Sequence, residues 1–121
     1  MNLNQLKEAI QYFGHVVRSR PKSVSGWEAL IRCLFKAEFY DEAMEQCIAA
    51  LKITEGKTLF IFYLSASLFA LKKSKEAMLQ LEKAMSLAPR QVKKFIDLYP
   101  ATLQNLQVVD LIARYKKGKK L

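Results

Sequence analysis

A repeat of 34 residues is the sequence feature that most constrains the fold of this 121-residue chain. When the chain is shifted by this distance, four columns agree in residue type over three copies. These columns are Glu8, Glu42 and Glu76; Ala9, Ala43 and Ala77; Ile10, Met44 and Met78; and Val16, Ala50 and Ala84. A fixed period between about 20 and 50 residues is typical of solenoids, whose units are stable only when they stack on their neighbours. We therefore expect a stack of similar units.

Each unit contains two helical patterns. Apolar residues recur at spacings of three and four over residues 27–34 and again over 43–51, which predicts two helices per unit. Ser25, followed three residues later by Glu28, predicts a capping box at the start of a first helix. Pro89 stands where a second helix should end. Alanines in the second helices predict that two antiparallel helices approach each other closely.

Two stretches carry a known pattern of Trp, Leu three residues later, and then Ala, an aromatic residue, Ala and Pro. Residues 24–57 carry it as Trp27, Leu30, Tyr40, Ala43 and Ala50, and residues 58–91 carry it as Leu64, Ala77, Ala84 and Pro89. In these residues the chain resembles the tetratricopeptide repeat (TPR) family. Three positions depart from the family pattern: Ile31 replaces a small residue, Glu55 replaces the terminal Pro, and Ile61 replaces the Trp.

The resemblance implies an all-α fold, a right-handed αα superhelix built from antiparallel helix pairs. We expect a single TPR-like domain over residues 1–121. Its parts are an N-terminal half-repeat helix (3–20), two full repeats (24–57 and 58–91), a degenerate capping helix pair (90–117) and a frayed basic tail (118–121). The half-repeat indicates either a piece cut from a longer array or a solitary capping helix, and the sequence leaves both readings open.

In this family the first helices of the units line a concave groove, so the resemblance implies that a protein partner binds there as a peptide or a helix. By position, the groove residues are Glu28, Arg32, Phe35, Lys36, Phe62, Ala66 and Phe69. We expect the three Phe side chains to make apolar contacts and the two basic side chains to pair with acidic groups. The Lys, Asn and Arg cluster with which some members bind acidic C-terminal tails is not carried by this sequence.

The helix over residues 58–71 is apolar on nearly all sides, so another segment must cover Phe62 and Phe69. Three candidates are the helix over 106–115, a second copy of the chain, and a partner segment that lies in the groove. If a partner covers this surface, Phe62→Asp should abolish partner capture and leave the helical circular dichroism intact. Loss of the fold would instead assign Phe62 to the core.

The positive charge is confined to the C-terminal half. The formal net charge is +9; residues 1–56 hold seven basic and seven acidic residues, whereas residues 57–121 hold thirteen basic and four acidic residues. Basic clusters at 72–75, 90–94 and 114–120 form either a solvated basic face that aids solubility or a positive surface that attracts an acidic protein or nucleic acid. They lack the interleaved aromatic residues of base-stacking surfaces, which argues against nucleic acid. The alternatives to groove binding are a module that binds nucleic acid or an acidic protein through this C-terminal half, and a self-associating homo-oligomer.

The composition offers little material for catalysis. His15 is the only histidine, and Cys33 and Cys47 lie fourteen residues apart without metal-binding spacing. We therefore predict no catalytic residue, no metal, no cofactor and no enzymatic activity. The most apolar window, residues 59–71, is shorter than the roughly 20 residues that span a bilayer, and the N-terminus lacks the apolar run of a signal peptide. We expect a cytoplasmic protein that does not enter a membrane.

Overall fold

The computed structural model describes residues 2–118, and every regular element within that range is helical. Seven α-helices and two 3-10 helices follow one another along this part of the chain. The α-helices are α1 (Leu3–Ser19), α2 (Val24–Lys36), α3 (Tyr40–Ile53), α4 (Thr58–Ala70), α5 (Ser74–Leu87), α6 (Val92–Leu98) and α7 (Leu106–Gly118). The 3-10 helices Pro89–Gln91 and Pro100–Gln104 precede α6 and α7. The predicted all-α fold class is confirmed.

The turn between α2 and α3 has the same backbone geometry as the turn between α4 and α5. Glu38 and Lys72 occupy the same place in the two turns, 34 positions apart, and have positive φ angles of 63° and 66°. After each turn, Phe39 or Lys73 donates its backbone N–H to the carbonyl five residues earlier, at 2.9 Å and 2.8 Å. This hydrogen bond closes a helix end of the Schellman type. The short turns make each helix pair antiparallel.

The start of α2 differs from the sequence prediction. The cap is Ser23, whose hydroxyl accepts a hydrogen bond from the backbone N–H of Gly26 at 3.1 Å. The predicted capping box of Ser25 with Glu28 is wrong because Ser25 already lies inside the helix. A Ser at the cap position satisfies one of the free N–H groups of the first turn. The Glu28 side chain is thereby left to make contacts outside its own helix.

Small side chains let the paired helices approach each other closely. Ala43 and Ala50 of α3 and Ala77 and Ala84 of α5 have no exposed surface. The approach is close enough that the hydroxyl of Ser65, in α4, donates a hydrogen bond of 2.8 Å to the backbone carbonyl of Ala77. A larger side chain in these columns would separate the helix axes.

Helix α4 lies at the centre of the described structure, in contact with α3, α5 and α6. Its buried residues are Leu59, Phe60, Ile61, Phe62, Tyr63, Ser65, Ala66, Ser67, Leu68 and Phe69. A helix that is apolar on all sides is normally buried on all sides, and α4 follows that rule. Among the described residues, no helix combines the length and the apolar character needed to cross a membrane.

The two C-terminal helices cover different parts of the stack. Helix α6 packs against α4, whereas α7 packs against α5. The ring that packs on Phe62 and Phe69 is Phe95 of α6, whereas our candidate for an internal cover was the helix over 106–115. A 3-10 helix that begins at Pro100 separates α6 from α7. Within the expected basic tail, residues 119–121 lie outside the described residues.

Candidate functional site

A cleft of about 740 Å³ lies between α2 and the segment that runs from the 3-10 helix Pro89–Gln91 into α6. We call it the α2–α6 cleft. Its walls carry Ser25, Glu28, Ala29 and Arg32 from one side and Arg90, Gln91, Lys93, Lys94 and Asp97 from the other. Convergent polar and charged groups in a cleft are the usual sign of a binding site. We therefore treat the α2–α6 cleft as the candidate functional site.

Helical spacing fixes the α2 wall of the cleft. Glu28 and Arg32 are four residues apart, so their side chains share one face of the helix. The core-facing side of α2 holds its buried apolar residues, which include Leu30, Ile31 and Leu34. Burial of that stripe sets the rotation of the helix and leaves both charged side chains directed towards α6.

Glu28 connects three helices through one carboxylate oxygen. The Lys94 ammonium Nζ donates to Oε2 of Glu28 at 2.8 Å, and the Tyr63 hydroxyl donates to the same oxygen at 3.1 Å. Burial raises the pKa of Tyr63 above its usual value, although the nearby Arg32 guanidinium opposes that shift. The hydroxyl therefore stays protonated and remains a donor to Glu28. The Tyr63 hydroxyl thus holds the Glu28 carboxylate in place from the side of α4.

Positive charge exceeds negative charge in the cleft. Four of the side chains along its walls are cations and two are carboxylates; the cations are Arg32, Arg90, Lys93 and Lys94. Arg binds carboxylates and phosphates through paired N–H donors, and Lys binds them as a point charge. The side chain of Lys94 is half exposed, at 51%, even while it contacts Glu28. An anionic group can therefore reach these cations from solvent.

Four of the seven predicted groove residues are buried, which corrects the expectation of an open apolar groove at these positions. They are Phe35, Phe62, Ala66 and Phe69. Phe95 of α6 packs on Phe62 and Phe69, with ring centroids 6.2 Å apart in both pairs. Tyr99 packs on Phe35 at 5.7 Å. The apolar surface of α4 is therefore covered by Phe95 of the same chain.

The three charged residues of the predicted set remain accessible to different degrees. Glu28 and Arg32 are half-buried and line the α2–α6 cleft. Lys36 is exposed and borders a small hollow of about 90 Å³ together with Arg32 and Asp97. The structure thus brings Glu28 and Arg32 together in one site and places Lys36 just beyond it.

Sequence reasoning missed the other wall of the cleft. Lys93 and Lys94 were recognised only as part of a basic cluster, because the repeat register weakens after Pro89 and gives no position for α6. Tyr63 was missed because it stands inside an apolar helix, where an aromatic side chain normally indicates core. Its hydroxyl was the one available signal, since a buried hydroxyl needs a hydrogen-bond partner.

A metal site is absent from the part of the chain that the structure describes: no three His, Cys, Asp or Glu side chains lie close enough together to hold an ion. Both cysteines are free thiols, with Cys47 buried and Cys33 half-buried. The chemistry of the α2–α6 cleft is therefore that of its cations, its two carboxylates and its polar groups.

Comparison with protein-family models, with curated proteins and with solved structures found no match to this chain.

Proposed function

We propose that this chain is a non-catalytic protein-interaction module that binds an acidic segment of a partner protein in the α2–α6 cleft. The observation that carries the proposal is the convergence of four cations on an open cleft of about 740 Å³. A carboxylate-rich peptide complements such a surface in charge. The partner's acidic side chains would pair with Arg32, Lys93 and Arg90 along the cleft.

The repeated architecture supports the same proposal. Two helix pairs with matching turns stack beside each other, as expected of a TPR-like right-handed superhelix. Stacked repeats present extended surfaces made of side chains from successive units, and such surfaces commonly bind peptides. In this chain the first helix of the first unit supplies one wall of the cleft, so the site follows from the repeat arrangement that we propose.

Binding would require exchange of the Lys94 partner. In the free chain Lys94 contacts Glu28, and an incoming carboxylate would compete with Glu28 for the ammonium group. The Lys94 ammonium is half exposed, so water can solvate it during the exchange, whereas the Glu28 side chain is only 20% exposed and depends on its remaining partner. Glu28 would keep its hydrogen bond from Tyr63 after Lys94 turns to the partner. The resting pair therefore positions Lys94 without holding it strongly.

The test is a titration of the full chain into a fluorescein-labelled synthetic peptide rich in Glu and Leu, followed by fluorescence anisotropy. The charge reversal Arg32→Glu should weaken binding about tenfold or more, because it removes one cation from the cleft and adds a repelling carboxylate. The matched control is Lys83→Glu, on the exposed surface of α5 away from the cleft. It should change the affinity by less than about twofold.

Two results would contradict the proposal. One is an equal loss of affinity in Arg32→Glu and Lys83→Glu, which would show that net charge alone attracts the peptide. The other is tighter binding of a single-stranded oligonucleotide than of the peptide, with a steep loss as salt rises, which is the behaviour of phosphate-backbone contacts. The proposal predicts that the peptide binds more tightly than the oligonucleotide at physiological salt.

A further inference from the structure

The three helices that share the second-helix pattern are not equally covered. Their inward columns correspond by the 34-residue shift: Ala9, Phe13 and Val16 in α1; Ala43, Cys47 and Ala50 in α3; Ala77, Leu81 and Ala84 in α5. In α3 and α5 all six side chains have no exposed surface. In α1 the corresponding three side chains are only half-buried. The same helix face is therefore fully buried in α3 and α5 and only partly buried in α1.

The difference arises from the neighbours of each helix. Helix α3 packs between α2 and α4, and α5 packs on α4 and α7, whereas α1 packs on α2. The side of α3 that corresponds to the open side of α1 faces the first helix of its own unit. Among the described residues, no helix occupies that place beside α1. The repeat itself thus shows what covers this face elsewhere in the molecule: one antiparallel helix.

A cleft marks the open place. It has a volume of about 650 Å³ and is lined by Tyr12, Phe13, His15, Val16, Ser19, Arg20, Ser23, Ser25, Gly26 and Ala29. Phe13 and Val16 give it an apolar floor. At Gly26 the backbone of α2 comes so close that an added Cβ would lie 3.0 Å from Val16 Cγ1. We call this the α1–α2 cleft; it adjoins the α2–α6 cleft at Ser25 and Ala29.

We propose that the α1–α2 cleft binds one amphipathic helix of a partner protein, antiparallel to α1. The chemistry of the helix follows from the two internal examples. In α4 the hydroxyl of Ser65 lies on Ala77, and the corresponding residue of α2, Ile31, is fully buried. A helix placed beside α1 would set its own residue of this column on Ala9, with apolar residues three and four positions away on the same face.

Charge complementarity specifies the first turn of that helix. Because it runs antiparallel to α1, it begins near the C-terminal end of α1, where Arg20 lines the cleft. The N-terminus of a helix favours negative side chains, and Arg20 adds an opposite charge for them to pair with. We therefore assign to the bound segment an acidic first turn and an apolar stripe at positions i, i+3, i+4 and i+7.

The probe is a labelled synthetic peptide that copies residues 23–37 with the substitutions Val24→Asp and Ser25→Asp, which supply the acidic first turn. Anisotropy with the full chain should show saturable binding. Tyr12→Asp in the chain should weaken it about tenfold, because it places a charge beside the apolar floor formed by Phe13 and Val16. Tyr12 is 63% exposed, so the fold should survive the change. Thermal unfolding checks that it does.

Two controls separate this site from other surfaces. Lys7→Asp adds a carboxylate to an exposed position of α1 that does not line the cleft, and it should leave the affinity within about twofold. Arg32→Glu should do the same, because Arg32 lines the α2–α6 cleft and does not line the α1–α2 cleft. Loss of binding in Arg32→Glu with retention in Tyr12→Asp would overturn this inference while supporting the proposed function.

Two further outcomes would overturn it. Absence of saturable binding by the unmodified chain is the first. The second is a dimer in light scattering coupled to size exclusion that Tyr12→Asp converts to a monomer, since a second copy would then occupy the cleft. A monomer that binds the probe through Tyr12, with both controls unaffected, would support the assignment.

Discussion

The first helices of the two full units, α2 and α4, carry opposite chemistry at equivalent positions. Positions 28, 32 and 36 of α2 hold Glu, Arg and Lys, and the positions 34 residues later in α4 hold Phe62, Ala66 and Ala70. The α2 set lies in or beside an open cleft, whereas Phe62 and Ala66 have no exposed surface. The two units thus share the same helix arrangement, but these equivalent positions border an open cleft in α2 and are buried in α4.

Helix α6 is the physical cause of this difference. It is only seven residues long, yet Phe95 fills the space between Phe62 and Phe69 and has no exposed surface itself. The same short helix turns Lys94 towards Glu28. A single covering helix therefore closes the apolar side of the second unit and provides the charged wall that faces the first. The α2–α6 cleft therefore depends on the packing of α6 against α4.

A large loss of stability is expected from removing the α6 ring that packs on Phe62 and Phe69 of α4. Phe95→Ala should lower the free energy of unfolding by about 3 to 5 kcal/mol, because it removes a fully buried ring and leaves a cavity. Urea unfolding followed by circular dichroism measures the change. Leu106→Ala, at a position 79% exposed in α7, is the control and should change stability by less than about 0.5 kcal/mol.

Phe62→Asp tests the same contact from the α4 side. Because Phe62 lies in the core, we expect this variant to lose its fold, in contrast to the binding defect with an intact fold that an open groove would give. A folded Phe62→Asp chain together with a Phe95→Ala cost below about 1 kcal/mol would show that α6 does not cover α4 in solution.

Much of the fold could be predicted because the repeat constrains it twice. Helical spacing sets the helices, and the 34-residue period sets how they pair, so the Ala columns of α3 and α5 were expected and are fully buried. The position of α6 could not be predicted from the same argument. After Pro89 the register weakens, and a helix of seven residues carries too little pattern to say which surface it covers.

The candidate site was only half predictable for the same reason. Glu28 and Arg32 follow from their place in the unit, which is a local property of the sequence. Lys94 faces Glu28 across 66 positions of chain, and no spacing rule connects them. Tyr63 could be assigned to the core from its apolar surroundings, but the direction of its hydroxyl depends on how α2 and α4 pack.

The protonation of the Cys47 thiol tests whether the contact between α3 and α4 stays closed to solvent as the pH rises. Cys47 belongs to α3, and its sulfur lies 3.8 Å from the hydroxyl of Ser67 in α4, so it reports on the junction between the units. Complete burial raises its pKa from 9.0 to about 12. Above pH 9 the unfolded thiol loses its proton while the folded one keeps it, so its contribution to stability is full below that pH and is lost as the pH rises towards 12.

The corresponding experiment compares the unmodified chain with Cys47→Ala by urea unfolding at pH 8 and at a pH about two units higher. The unmodified chain should lose about 1 to 2 kcal/mol more stability over this interval than the variant. Cys33→Ala is the control, since Cys33 is only half-buried, and it should keep most of the pH dependence. Equal slopes for the unmodified chain and Cys47→Ala would mean that solvent reaches the junction in the native state.

The ion pair between Glu28 and Lys94 is expected to contribute the least of the interactions tested. A double-mutant cycle of Glu28→Gln and Lys94→Ala should give a coupling free energy of about 0.2 to 1 kcal/mol that decreases with salt, because half of the Lys94 side chain is exposed. Gln is chosen because its amide oxygen can still accept from Tyr63, so the cycle measures the ion pair. A coupling above about 2 kcal/mol would contradict the exchange that we propose, since Lys94 would then be bound too strongly to leave Glu28. A weak coupling means that Lys94 is free to bind a partner. The position of α6 then depends on the packing of Phe95 in the core and not on the ion pair.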